Sequence, residues 1–191
     1  MKRVLLVLLF ANGAFTQPTT GSHVYDWQIP QQVKNCVASF APLASSILRI
    51  NLDINPYYLR GDFDGDGRMD LAIAMRSASD DTKLGTGICR AGMPPVLLGA
   101  ISKGKPFSDD PADSIASVGW TVITRDFLEQ VLKKSNPSRH LRTKISAKLA
   151  FTKGEMIYMP YEDAEGLIFF ANGHFQWYTI NSTMLPQNGP P

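Results

Sequence analysis

Residues 61–73 read GDFDGDGRMDLAI, and aspartates fall at positions one, three, five and nine of the stretch that starts at Asp62: Asp62, Asp64, Asp66 and Asp70. Position seven is Arg68, whose guanidinium cannot ligate a cation but whose backbone carbonyl can. Gly65 and Gly67 permit the sharp turn that draws these oxygens together. Hard oxygen donors on a short turning loop are what calcium takes, roughly six to eight of them at about 2.3–2.6 Å. So many protein oxygens suit calcium better than magnesium, which keeps several of its waters. Without a cation the carboxylates would repel one another at close range. The alternative is an Asp/Gly-rich turn that binds nothing.

An EF-hand shares the D-x-D-x-D-G start but needs a bidentate acid at position twelve and flanking helices. Position twelve here is Ile73, and the flanks, YYLRG and DLAIAMR, read as strands. The stretch from about residue 57 to 76, with Phe63 in the loop and an apolar strand after the last aspartate, resembles the calcium-binding hairpin loop of the FG-GAP/VCBS repeat family. That resemblance implies Asp62, Asp64, Asp66 and Asp70 as side-chain ligands and Arg68 as a carbonyl ligand. The loop occurs once, and a chain of 191 residues with one copy cannot build a propeller of four or more blades at roughly 40–50 residues each. The resemblance therefore implies a single-loop relative, as in small exported bacterial proteins. Arg60-Gly61-Asp62 also spells the integrin-recognition tripeptide, a reading that competes with Asp62 as a ligand.

Other residues with chemical potential are weaker. His23, His140 and His174 stand apart from any ligand partner, and each reads as surface or satisfied structure. Glu162, Asp163 and Glu165 in YEDAEG would suit acid/base work in a cleft, but their surroundings have loop composition. No G-x-S-x-G, Walker or dinucleotide motif occurs. Asn181-Ser182-Thr183 is a glycosylation sequon, relevant in a eukaryotic secretory host. Aromatics crowd the C-terminal third, with Phe175 and Trp177 on one strand face and Tyr178 on the other. They read first as core and second as a binding patch.

The elements that must hold the loop follow from patterning. Residues 1–14 read as a secretory signal peptide: Lys2 and Arg3, an apolar run from Val4 to Ala11, then small residues. The run is too short for a membrane span of roughly 20 residues. Residues 15–24 read as a linker, 25–184 as one domain and 185–191 as a disordered tail. Losing Lys2 and Arg3 leaves 17 of the 19 basic residues against 17 acidic ones. That balance offers no basic excess for nucleic acid. Cys36 and Cys89 in an exported chain favour a disulfide, with two buried thiols as the alternative.

Val33, Cys36, Val37 and Phe40 recur at helical spacing after Pro30, with Leu43 and Ile47 extending the face beyond Pro42. Leu71, Ile73 and Met75 alternate with Ala72 and Ala74, which marks a central strand whose small face a helix covers. TGICR, PVLLGAI and GWTVI read as strands and KGKPFSDDPADS as a loop. A helix follows from Asp126 to Lys134, with Asp126 and Glu129 as its capping box and Phe127, Leu128 and Val131 as its buried face. Ile145, Ala147, Leu149 and Phe151 alternate as a strand, TKGE turns it, and Asn172-Gly173 closes a hairpin.

The expected fold is a single α+β domain, a mainly antiparallel sheet with about two packed helices. The expected function is an exported, secreted or periplasmic calcium-binding protein. It is non-enzymatic, binding a protein or glycan partner, inhibitor-like in one version. The alternative is a calcium-dependent exported hydrolase.

Overall fold

The computed structural model describes residues 28–103, 119–134, 143, 145–147, 149–160 and 164–181. The expected signal peptide, linker and tail, and residues 104–114 of the expected loop, lie outside the described residues.

The chain is an α+β domain with two open antiparallel sheets. The first contains β1 (Leu48–Ile50), β2 (Tyr58–Gly61), β3 (Asp70–Ser77), β4 (Leu84–Cys89) and β5 (Val96–Gly99). Its order is β1-β3-β4-β5, and β2 also pairs with β3. β1 and β2 thus share one edge of β3, with Leu48 opposite Ser77 and Gly61 opposite Asp70. The second sheet runs β6 (Thr121–Ile123), β7 (Thr152–Pro160), β8 (Ala164–Ala171) and β9 (His174–Asn181) in sequence order.

The sheets pack face to face. Ala72, Ala74 and Ile88 of the first, with Phe63 of the β2–β3 connection, meet Ile157, Met159, Ile168 and Phe175 of the second. Trp120 strengthens the join by donating its indole N–H to the carbonyl of Pro56, which follows a cis peptide bond from Asn55. Helix α1 (Gln31–Ser39) covers the outer face of the first sheet, where Val33, Cys36 and Phe40 pack with Ile73 and Met75. Helix α2 (Arg125–Lys134) covers the outer face of the second, where Leu128 and Leu132 pack with Met156, Leu167 and Phe169. The layers are helix, sheet, sheet, helix. No described helix is long and apolar enough to cross a membrane.

Several expectations change. The alanine face of β3 meets the second sheet, and α1 lies on the Ile73/Met75 face, because two sheets approach most closely where side chains are small. The α1 face ends at Phe40; Leu43 packs partly against it, but Ile47 is 80 % exposed. The N-cap of α2 is Thr124, whose Oγ1 accepts the Phe127 N–H at 3.2 Å, and Glu129 instead pairs with Arg125 at 3.0 Å. Its buried face is Leu128, Val131 and Leu132, while Phe127 is 37 % exposed.

Residues 143, 145–147 and 149 are helical, which overturns the expected strand from Ile145 to Phe151. Ile145 and Leu149 satisfy both periods, but Ala147 and Phe151, which only a strand would bury, are exposed. TKGE is then no hairpin turn: β7 runs straight through it, with a register shift between Lys153 and Ile157 and Gly154 at φ 75°. The Asn172-Gly173 turn is present, both residues at positive φ, with Ala171 opposite His174.

The disulfide between Cys36 and Cys89 ties α1 to the end of β4, with a Cα–Cα distance of 5.9 Å.

Candidate metal centre

The aspartate loop joins β2 to β3 and lies where the two sheets meet. Phe63, 1 % exposed, anchors it between them. Its backbone is folded by its own carboxylates. Asp62 accepts N–H groups from Gly65 at 2.8 Å, Asp66 at 3.0 Å and Gly67 at 2.9 Å. Gly65 and Gly67 hold φ of 73° and 84°, the left-handed turns that aim these donors inward. Asp66 accepts the Arg68 N–H at 2.8 Å, and Asp70 accepts that of Phe63 at 3.1 Å.

Asp62, Asp64 and Asp70 each offer a carboxylate oxygen, and the three oxygens lie within 4.8 Å of one another. Asp64 and Asp70 are buried and Asp62 half-buried. The Asp66 carboxylate is exposed and engages Arg68, through the backbone N–H and, at 4.0 Å, the guanidinium. Three of the four sequence-derived side-chain ligands are therefore brought together, with Asp66 beside them.

Four residues that sequence patterning does not mark complete the surroundings. Glu155 of β7 accepts the Asp62 N–H at 2.9 Å through its carboxylate, and its own N–H donates to the Asp62 carbonyl at 2.7 Å. A Cβ on Gly154 beside it would stand 2.2 Å from the Asp62 carbonyl oxygen, so any side chain there must displace the loop. Arg90, just past β4, places Nη1 3.6 Å from the Asp64 carboxylate, and the next residue, Ala91, donates its N–H to Asp70 at 3.0 Å. These residues come from strands distant in sequence, Glu155 lying 93 positions from Asp62. No local motif flags them.

The electrostatics are lopsided. Among the described residues, the ion pairs reaching the four aspartates are Arg90–Asp64 and Arg68–Asp66. The Arg68 side chain is 66 % exposed, so its pair is screened and weak. Two unit charges about 4.8 Å apart repel by roughly 3–4 kcal/mol at an effective dielectric of about 20. Burial raises the Asp70 pKa above its ordinary value; Asp64 and Asp66 push the same way, against hydrogen bonds from Ala91 and Phe63. A compact set of hard oxygens, partly buried and short of positive charge, fits a divalent cation.

Of the other sequence candidates, His174 is exposed beside the hairpin turn, its Nδ1 3.2 Å from the Asn172 carbonyl. His23, His140, Glu162 and Asp163 lie outside the described residues. Among the described aromatics of the C-terminal hairpin, Phe169 and Phe175 are buried and Phe170, Trp177 and Tyr178 half-buried. Phe175 is buried between the sheets with Phe170 and Trp177 packed against the same cluster, and Tyr178 packs against the cluster on the other face of the second sheet.

Comparison with protein families, with curated proteins and with solved structures found no match to this chain.

Proposed function

We propose that this is an exported calcium-binding protein in which the ion is structural, locking the Asp62–Asp70 loop at the junction of the two sheets, and that its activity is to bind a partner rather than to catalyse a reaction. One observation carries the reading: three carboxylates converge within 4.8 Å on a loop whose backbone is already folded around them. Asp62, Asp64 and Asp70 would hold the ion, with Asp66 and the Arg68 carbonyl as the further donors that the likeness to FG-GAP/VCBS loops implies. Bound calcium would supply the missing positive charge. Loop, Glu155 and Gly154 would then hold one register between sheets, the role of a clasp. Such a donor set fills most of calcium's shell, whereas catalytic metals keep a position open. The hydrolase alternative asks for an acid or histidine in a cleft beside the ion.

Thermal melts with calcium and with chelator test the reading. A ligand at 100 times its Kd adds about 2.7 kcal/mol, which raises Tm by roughly 5–10 °C for a chain of this size. Asp64→Asn should abolish most of that shift. Equal melting temperatures with calcium and with chelator would sink the proposal.

A further inference from the structure

We infer that Arg90 is a resident counter-cation of the acidic loop: its guanidinium neutralises Asp64 in the ion-free protein, and a divalent cation enters the loop against that charge. The inference rests on the calcium reading above and concerns what sets the ion's affinity.

The Arg90 side chain is 10 % exposed and that of Asp64 7 %, so their charges face each other with little solvent between them. At 3.6 Å the contact is an ion pair rather than a hydrogen bond. The guanidinium carbon lies 5.6 Å from the centre of the Phe170 ring and 6.0 Å from that of Phe175, and Nη2 donates to the Pro94 carbonyl at 3.3 Å. Its Nε–H is buried and makes no hydrogen bond. Arginine normally reaches a carboxylate with two parallel N–H groups, and this one does not. It is held over the aromatic faces by charge and stacking, with its positive end towards the loop. A cation ligated by Asp64 would stand within a few ångströms of that end, where both charges are partly shielded from solvent. The same arginine spares the ion-free fold an uncompensated buried carboxylate. It thus stabilises the loop without calcium and opposes calcium in the loop.

A residue that merely positions Asp64 as a ligand predicts the opposite sign. Calorimetric calcium titration of the full chain therefore decides between them. Arg90→Met should bind calcium about tenfold tighter than wild type and melt lower without it, whereas Arg90→Lys, which keeps the charge, should stay within about threefold of wild type. Equal or weaker binding by Arg90→Met overturns the inference. Binding by Arg90→Met with none by wild type upholds the inference and defeats the calcium reading of the native chain; binding by neither overturns both. Should Arg90→Met not fold, wild type itself supplies the readout, the Arg90 Nε–H signal in a proton–nitrogen spectrum, assigned by its loss in Arg90→Lys. Calcium should shift that signal and speed its exchange with water, and an unmoved signal counts against a contest between the two cations.

Discussion

At the scale of single residues, the loop shows why similar glycines are not equivalent. Gly67 and Gly154 both hold positive φ, 84° and 75°, but a Cβ on Gly67 meets nothing within 4 Å, whereas on Gly154 it collides with Asp62 and Gly65. Gly67→Ala should cost only the conformational penalty of about 1–2 kcal/mol. Gly154→Ala should cost distinctly more and weaken calcium binding, because it pushes the loop off β7. Denaturant midpoints with and without calcium check both. Asp70 adds a pH dependence. Its folded pKa is raised, so in ion-free protein the folded state takes up the proton first. The stability Asp70 contributes is then fully present below its ordinary value and is lost as pH rises through the raised one. On the proposed reading calcium requires the anion, so its increment in Tm should shrink as pH falls from about 7 towards about 4. An increment independent of pH over that range would remove Asp70 from the ligand set.

At the scale of elements, the helical stretch at 143–149 gives the sharpest contrast. Ile145 and Leu149 are 0 % and 3 % exposed, while Phe151 is 67 % exposed. Leu149→Ala should destabilise by about 2–5 kcal/mol and Phe151→Ser by no more than about 0.5 kcal/mol. Comparable losses at both positions in chemical unfolding would restore the strand. The ambiguity has a physical source: residues four apart share a face in both a helix and a strand, so only intermediate positions discriminate. What was legible locally came out well. The β2–loop–β3 hairpin, the Asn172-Gly173 turn and the Val33–Phe40 part of the α1 face each depend on patterns within about ten residues. Illegible were the features made by strands meeting across the fold: that there are two sheets rather than one, that β3's alanines face the second of them, and that Glu155, Gly154 and Arg90 adjoin the aspartates. The α2 boundary was legible but its cap was not, since Thr124 and Asp126 both have side chains able to cap.

At the scale of the whole molecule, the covalent tie and the loop clasp act on different parts. The Cys36–Cys89 bridge spans 53 residues of sequence and fastens α1 to the first sheet. In the chain-entropy model a loop of that size contributes about 4 kcal/mol. The double variant Cys36→Ser/Cys89→Ser should therefore unfold at markedly lower denaturant, and an unchanged midpoint would show that the bridge adds nothing beyond α1 packing. The reciprocal pair between Asp62 and Glu155 has a different consequence, one of timing. Each backbone N–H is satisfied by the other residue, across 93 positions of chain. The β2–β3 hairpin can form early from neighbours, but the back wall of its loop arrives only when β7 docks. On the proposed calcium reading, a cation seated by the finished loop stabilises contacts that β7 completes, and if those contacts form late it acts on unfolding rather than on folding. Calcium should accordingly leave the refolding limb of a chevron nearly unmoved and lower the unfolding limb, so that the ion sets how long the native state lasts instead of how fast it is reached.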